Sequence, residues 1–377
     1  VMHMMKVVFP ILMAAALSPM PCGASPRTVP LRSQVESLPI VFNQETIRGF
    51  SLLIDARTPG EKDADALRGS PAGPVVIFFQ GHAQRPDDAY EFTSRLALLS
   101  RSGMVVVPVC DTPCGSDPSL RGDNGKDAVL MEMVRFVLAR EGFTVAGYRP
   151  ISALSLAVGG VRLAPERDTP GTGLVAVGWS HGGILARRFA HAYPSSVDSL
   201  GQVCPAGYER WGPWKLTARF AWETLRISSK MKGHAAQTMR SGWGFTKGFA
   251  GDLFRSIPAA ITHLHPGKIA RIGKDISDCT TYCDSSRFTA AHLKRIAVIF
   301  GQDDSCMNPQ RQLGIIDRGA VGGDGLKRFH ETFFSDVCEL ESRISLRVLP
   351  GTHLAPVISG ELYAGTLLSD LGQALEP

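Results

Sequence analysis

Leu174-Val175-Ala176-Val177-Gly178-Trp179-Ser180-His181-Gly182-Gly183 is the stretch whose reading decides the fold. Residues 174–177 form a short apolar run suited to a buried strand, Gly178 opens a sharp turn, and 184–193 leave it with the pattern of a helix. A strand that turns directly into a helix brings the two backbones almost into contact. Glycine at 178 and 182 removes the side chains that would collide there. The turn forces Ser180 into a strained conformation and lifts its hydroxyl out of the sheet. A serine in an ordinary glycine-rich turn is the bland alternative, and it requires neither the flanking strand nor the flanking helix.

Working outward, other apolar runs alternate with amphipathic segments. Residues 35–42 and 47–54 read as an opening hairpin, and 74–79 and 104–109 as buried central strands. Residues 128–140 read as a helix with Val129, Met133, Phe136 and Val137 on one face. Further strands are expected at 197–203, 296–300 and 344–349, with a C-terminal helix at 362–375. Alternation of this kind argues for an α/β protein whose mainly parallel sheet is covered on both faces by helices. The Gly/Pro-punctuated stretch 142–173 fits no element. Between the strands near Cys204 and Ile296 lies a long, mostly helical stretch rich in Trp and Lys/Arg, read as a cap at 205–290 inserted into a core formed by 25–204 and 291–377.

The Gly178-Trp179-Ser180-His181-Gly182 turn, in its strand–turn–helix setting, resembles the nucleophile elbow of the α/β-hydrolase superfamily. That resemblance implies an α/β-hydrolase fold and a triad in the chain order Ser, acid, His. Gly301-Gln302-Asp303-Asp304 follows the expected strand at 296–300 and resembles the family's acid turn, matching Asp304, with Asp303 as the alternative. Pro350-Gly351-Thr352-His353 follows the strand at 344–349 and matches His353 to the base. Taken singly, Asp304 would read as a helix N-cap and His353 as a loop histidine. The family also needs two backbone donors for an oxyanion. The resemblance assigns them to His181, after the nucleophile, and to His82 in Gln80-Gly81-His82, where Gln80 stands in place of the commoner His. His191, His263, His265, His292 and His330 have no aligned partner pattern and read as surface or core histidines. The implied activity is serine hydrolysis of carboxylic esters, with no metal or organic cofactor. The same triad also serves small-ester and thioester hydrolases, and a hydrolase-fold binding protein is the non-enzymatic alternative.

Composition sets the outer bounds. The chain has 377 residues, 44% hydrophobic and 20% charged, with a net charge of +5. That is globular composition, and disorder, coiled coil and collagen are poor readings. No dense Lys/Arg run marks a nucleic-acid arm. Residues 1–35 contain no Asp or Glu; Lys6 precedes eleven apolar residues at 7–17, and Cys22-Gly23-Ala24 supplies a small-residue cleavage stretch. This is the layout of an export signal over 1–24, giving a periplasmic or secreted protein. Eleven helical residues rise only ~16 Å against ~30 Å of bilayer hydrocarbon, so a permanent anchor is disfavoured. The remaining Cys110, Cys114, Cys204, Cys279, Cys283, Cys306 and Cys338 are odd in number, so at least one thiol stays without an intramolecular disulfide; the pairs Cys110/Cys114 and Cys279/Cys283 lack neighbouring zinc-type His ligands and read as disulfide partners or buried thiols.

Charge is concentrated in the cap. Residues 209–275 hold twelve Lys/Arg against four Asp/Glu, a regional +8. Four of the five tryptophans, Trp211, Trp214, Trp222 and Trp243, lie among these cations. Indoles flanked by cations suit an anionic lipid surface, which points to a lipid-like or bulky apolar ester as substrate and to peripheral membrane contact through the cap. The competing reading is a cap whose aromatics pack on the core while its lysines face water.

Overall fold

The computed structural model describes residues 31–42, 45–81, 89–109, 123–147, 171–208, 219, 288–307, 319–320 and 323–375. The elements are, in order, β1 (Arg32–Phe42), β2 (Glu45–Asp55), α1 (Pro59–Arg68), β3 (Val75–Phe79), α2 (Tyr90–Leu99), β4 (Met104–Val109), α3 (Asp123–Arg140), β5 (Leu174–Trp179), α4 (His181–Ala192) and β6 (Val197–Val203). There follow β7 (Arg295–Gly301), β8 (Gly319–Ala320), α5 (Gly323–Phe333), α6 (Leu340–Arg343), β9 (Ile344–Leu349), α7 (Ala355–Ile358) and α8 (Gly360–Asp370). The strands form one nine-stranded sheet in the order β1-β2-β4-β3-β5-β6-β7-β9-β8. β1 and β2 make the expected hairpin, and β2 runs antiparallel to β4. From β4 through β3, β5, β6 and β7 to β9 every pairing is parallel, and β8 closes the edge antiparallel.

The two-residue period of the strands divides the core into two layers. Val75, Ile77 and Phe79 of β3, with Leu174 and Ala176 of β5, face α3 and α4. Val76 and Phe78, with Val175, Val177 and Trp179, face α2 and α8. Both sides of each central strand are therefore apolar, which is why these runs read as continuous and not alternating.

Two expectations need correction. Phe136 is 43% exposed, while Val129, Met133 and Val137 are buried as expected. Leu130, Met131, Val134 and Leu138 are buried too. They move the centre of the buried arc toward Leu130 and Val134, about a third of a turn away from Phe136 at 3.6 residues per turn. The last helix spans Gly360–Asp370 and does not reach 375. Gly372 adopts a left-handed φ of 65°. Its N–H donates to Ser369 O at 3.0 Å and Gln373 N to Leu368 O at 2.8 Å, a glycine-terminated helix end. The chain then passes the C-terminal end of α2, with Leu375 N donating to Leu99 O at 2.9 Å. Five helices, α1, α2, α5, α6 and α7, and the edge strand β8 add to the expected elements.

Strands from 31–208 and from 288–375 lie in the same sheet. The expected cap at 205–290, apart from 205–208, Arg219 and 288–290, lies outside the described residues, as do the export segment at 1–24 and most of 142–173. Among the described residues no helix is long and apolar enough to cross a membrane.

Candidate active site

The C-terminal ends of the parallel strands carry the site. β5 runs straight into α4 through Ser180, whose φ of 57° and ψ of −123° are costly for any residue with a Cβ, on the order of 1–3 kcal/mol. The surroundings hold it there. Ser180 N donates to Val203 O at 3.1 Å, while its carbonyl accepts from Gly183 N and Ala206 N, both at 2.9 Å. The glycines are needed for closeness. A Cβ on Gly178 would lie 2.1 Å from Gly182 O, and one on Gly182 would lie 1.9 Å from Phe79 O. The start of the loop after β3 thus rests on the first turn of α4.

The three residues expected to act together meet at one point. His353 Nε2 lies 2.8 Å from Ser180 Oγ. Its Nδ1 lies 2.8 Å from Asp304 Oδ2. The other carboxylate oxygen, Asp304 Oδ1, accepts from Cys306 N at 2.8 Å and Met307 N at 2.7 Å. Asp304 is fully buried and His353 is 5% exposed. Asp303 instead sits at the exposed side of the same turn, and its backbone N–H donates to Gly351 O at 2.8 Å. Of the two candidate acids, Asp304 is the one that faces the imidazole.

The base and acid turns are built to fit each other. A Cβ on Gly301 would fall 2.8 Å from Gly351 O, so β7 must end in glycine for the His353 loop to close over it. Gly351 adopts a φ of 138°, open to glycine and strained for other residues. Beneath the loop the Tyr363 hydroxyl donates to Pro350 O at 3.3 Å. Burial, then the nearby Cys204, Asp304 and Asp303, raise the Tyr363 phenol, so it stays a protonated donor. Burial and the neighbouring Asp304 likewise push the Cys204 thiol well up, leaving it protonated. Cys204 and Cys306 are buried and Cys338 is exposed; the other cysteines lie outside the described residues.

Of the two expected oxyanion donors, His181 is buried and opens α4 directly after Ser180. His82 lies outside the described residues. Gln80, two residues before it, is buried, and among the described residues neither of its side-chain amide atoms has a hydrogen-bond partner. His191 accepts from Thr289 N at 3.1 Å and His330 bonds Val337 O, structural roles at the rim of the sheet. Among the described residues no cluster of His, Cys, Asp or Glu has the makings of a metal site.

A parallel sheet led in by an antiparallel strand pair, a strained serine between β5 and α4, an acid after β7 and a histidine after β9 together define one architecture. This is the α/β-hydrolase fold. No family model matches the chain and no curated protein does. Among solved structures it is similar to an α/β-hydrolase enzyme from a Medee basin deep-sea metagenome library, with 11% identity, a TM-score of 0.46, and 90% of this chain and 99% of that one covered. It is also similar to the 2-hydroxy-6-oxo-6-phenylhexa-2,4-dienoate hydrolase of a Rhodococcus strain, with 13% identity, a TM-score of 0.44, and 90% and 100% covered. A third is carboxylesterase CesB from Bacillus subtilis, with 13% identity, a TM-score of 0.44, and 91% and 92% covered.

Sequence reasoning quoted Trp179 but gave it no role, and passed over Tyr363. Trp179 Nε1 donates to the His353 carbonyl at 3.0 Å. A buried indole implies a partner for its N–H, but nothing local names a carbonyl so far along the chain.

Proposed function

We propose that this protein is a serine hydrolase of carboxylic esters, exported from the cytoplasm and acting on lipid-like or bulky apolar substrates. The observation that carries the reading is the pair of 2.8 Å contacts joining Ser180 Oγ, His353 and Asp304. A serine hydroxyl is a poor nucleophile near neutral pH and needs a base within hydrogen-bond reach. In the proposed reaction Ser180 Oγ attacks the ester carbonyl as His353 Nε2 takes its proton. Asp304 Oδ2 accepts from Nδ1–H, holding the ring in the tautomer whose Nε2 is free to act and stabilising the imidazolium that forms. The amides of His181 and His82 receive the developing oxyanion. The tetrahedral adduct collapses, the alcohol leaves with the proton from Nε2, and an acyl group remains on Oγ. Water then attacks that acyl group with the same base, releasing the acid and restoring Ser180. Each step draws only on groups of the chain and on water.

The substrate class rests on the aromatic, cationic composition of 209–275. Indoles and cations together favour an anionic interface, and each basic residue near such a surface contributes about 1 kcal/mol. A fluorophosphonate should label the purified protein at one site, and Ser180→Ala should abolish both labelling and ester turnover, since the remaining groups cannot form an acyl-enzyme. Undiminished labelling of Ser180→Ala overturns the reading. Profiling esters of rising chain length, with and without anionic vesicles at low and high salt, then sizes the substrate. Activity that ignores vesicles and salt favours small soluble esters.

A further inference from the structure

Trp179 ends β5, is 1% exposed, and packs with Val177, Ile299, Leu349 and Tyr363 on the α2 and α8 side of the sheet. Its indole N–H points back across the strand ends and donates to the main-chain carbonyl of His353 at 3.0 Å. The indole ring also flanks the imidazole, with centroids 6.1 Å apart. An indole has one donor and no acceptor, and a ring packed this tightly cannot follow a partner that moves.

The rest of the His353 loop is held carbonyl by carbonyl. Leu349 O accepts from Gln302 N at 2.8 Å, Gly351 O from Asp303 N at 2.8 Å, and Thr352 O from Ala355 N at 2.9 Å. Pro350 O accepts from the Tyr363 hydroxyl at 3.3 Å. These four bonds tie the loop to the acid turn, to α8 and to itself. The Trp179 bond is different in kind, because it ties the loop to the strand that carries Ser180. Trp179 and Ser180 are consecutive, so the indole and the nucleophile belong to one rigid segment.

We propose that Trp179 is a positioning residue that sets the spacing between Ser180 Oγ and His353 Nε2 by pinning the backbone of the base to the nucleophile's own strand; this rests on the serine-hydrolase reading. Without the N–H the His353 carbonyl loses this bond to β5, while the backbone ties of the loop to the acid turn and to α8 remain. The imidazole then drifts with Asp304 and away from Ser180. A displacement of about 1 Å in a reacting group can cost on the order of 100-fold in rate. A tryptophan that merely satisfies its own N–H in the core predicts the opposite pattern, lowered stability with the rate intact.

The test is Trp179→Phe, which keeps an aromatic ring and deletes the donor, read on a p-nitrophenyl ester and on fluorophosphonate labelling. kcat and the labelling rate should fall together by about 10- to 100-fold, with KM within about twofold of the native protein. Should Trp179→Phe fail to fold, site-specific replacement of Trp179 by benzothienylalanine, in which sulfur takes the place of the N–H, removes the bond with the shape kept, and the same losses are expected. A folded variant with kcat within twofold of native, or with a lowered melting temperature alone, overturns the positioning role. Failure of the underlying reading looks different: the native protein would then show no labelling at all, or labelling that survives Ser180→Ala.

Discussion

Asp303 and Asp304 are chemically identical neighbours, and their surroundings give them different work. Asp304 is fully buried, with one oxygen on the imidazole and the other on two backbone amides, so an amide side chain there would offer His353 Nδ1 the wrong partner or the wrong tautomer. Asp304→Asn is therefore expected to lower kcat by roughly four orders of magnitude with the fold retained. Asp303→Asn leaves its backbone bond to Gly351 in place and should stay within a few-fold of native. Steady-state kinetics of the two variants beside their circular dichroism spectra decide it, and the reverse ranking would move the acid back one position. The acid turn was legible in the sequence to within these two residues. Burial made the choice, and burial depends on a loop 49 positions further along the chain.

At the level of elements, the elbow and α1 make opposite demands on glycine. A Cβ on Gly182 would lie 1.9 Å from Phe79 O and 2.5 Å from Gln80 O, both backbone atoms that cannot swing aside. Gly182→Ala should cost about 1–3 kcal/mol of stability through forced backbone movement and take ester turnover and labelling with it. Gly60, inside α1, has open space around it, and its conformation suits any residue. Gly60→Ala should raise stability by about 0.5–1 kcal/mol and leave turnover unchanged. Paired urea melts and ester assays separate the two outcomes. The ends of α1 were available in the sequence, in the Thr58 to Glu61 capping box, Pro59 and Gly69, though its weak apolar content hid it from a reading by hydrophobic period. Phe136 erred in the other direction, because periodicity gives a face and only packing against β2 and β4 fixes its centre.

Across the whole molecule, a buried ionic knot joins β2, α1 and the end of α3. Arg57 Nε and Nη1 lie 3.0 Å from Asp55 Oδ1 and 3.1 Å from Asp65 Oδ2, and Nη2 lies 3.3 Å from Glu141 Oε2. The guanidinium also stacks 5.2 Å from the Phe143 ring. Lys62 reaches Asp55 from outside at 2.9 Å. Arg57→Met would remove the buried cation shared by three carboxylates, leaving Asp55 with Lys62, Asp65 with Arg68 and Glu141 with Arg32, and should cost up to about 3 kcal/mol, measured by chemical unfolding. Acid should act on the same knot. Burial by itself would raise the Asp55 carboxyl, but hydrogen bonds from Arg57 and Lys62 outweigh it and hold Asp55 below its ordinary 3.8. A depressed carboxyl binds fewer protons folded than unfolded, so its contribution is complete above about 3.8 and is lost as the pH falls through the lower folded value. Stability measured downward from pH 5 should decline below that point, and Arg57→Met should flatten the decline.

The sequence by itself determined the strands β1 to β7 and β9, the helices α3, α4 and α8, and the turns that carry Ser180, the pair Asp303 and Asp304, and His353. Those are local matters, encoded in apolar runs, glycine placement and short turns that each segment displays without help from the others. Tertiary structure alone decided the strand order, in which β4 lies between β2 and β3, and the choice of acid. It also decided the reach of Trp179 to a carbonyl 174 positions later. Each of these is a contact between segments far apart in the chain, and neither periodicity nor a turn motif carries the distance between two such segments. That distance appears only when the two faces of the sheet have packed.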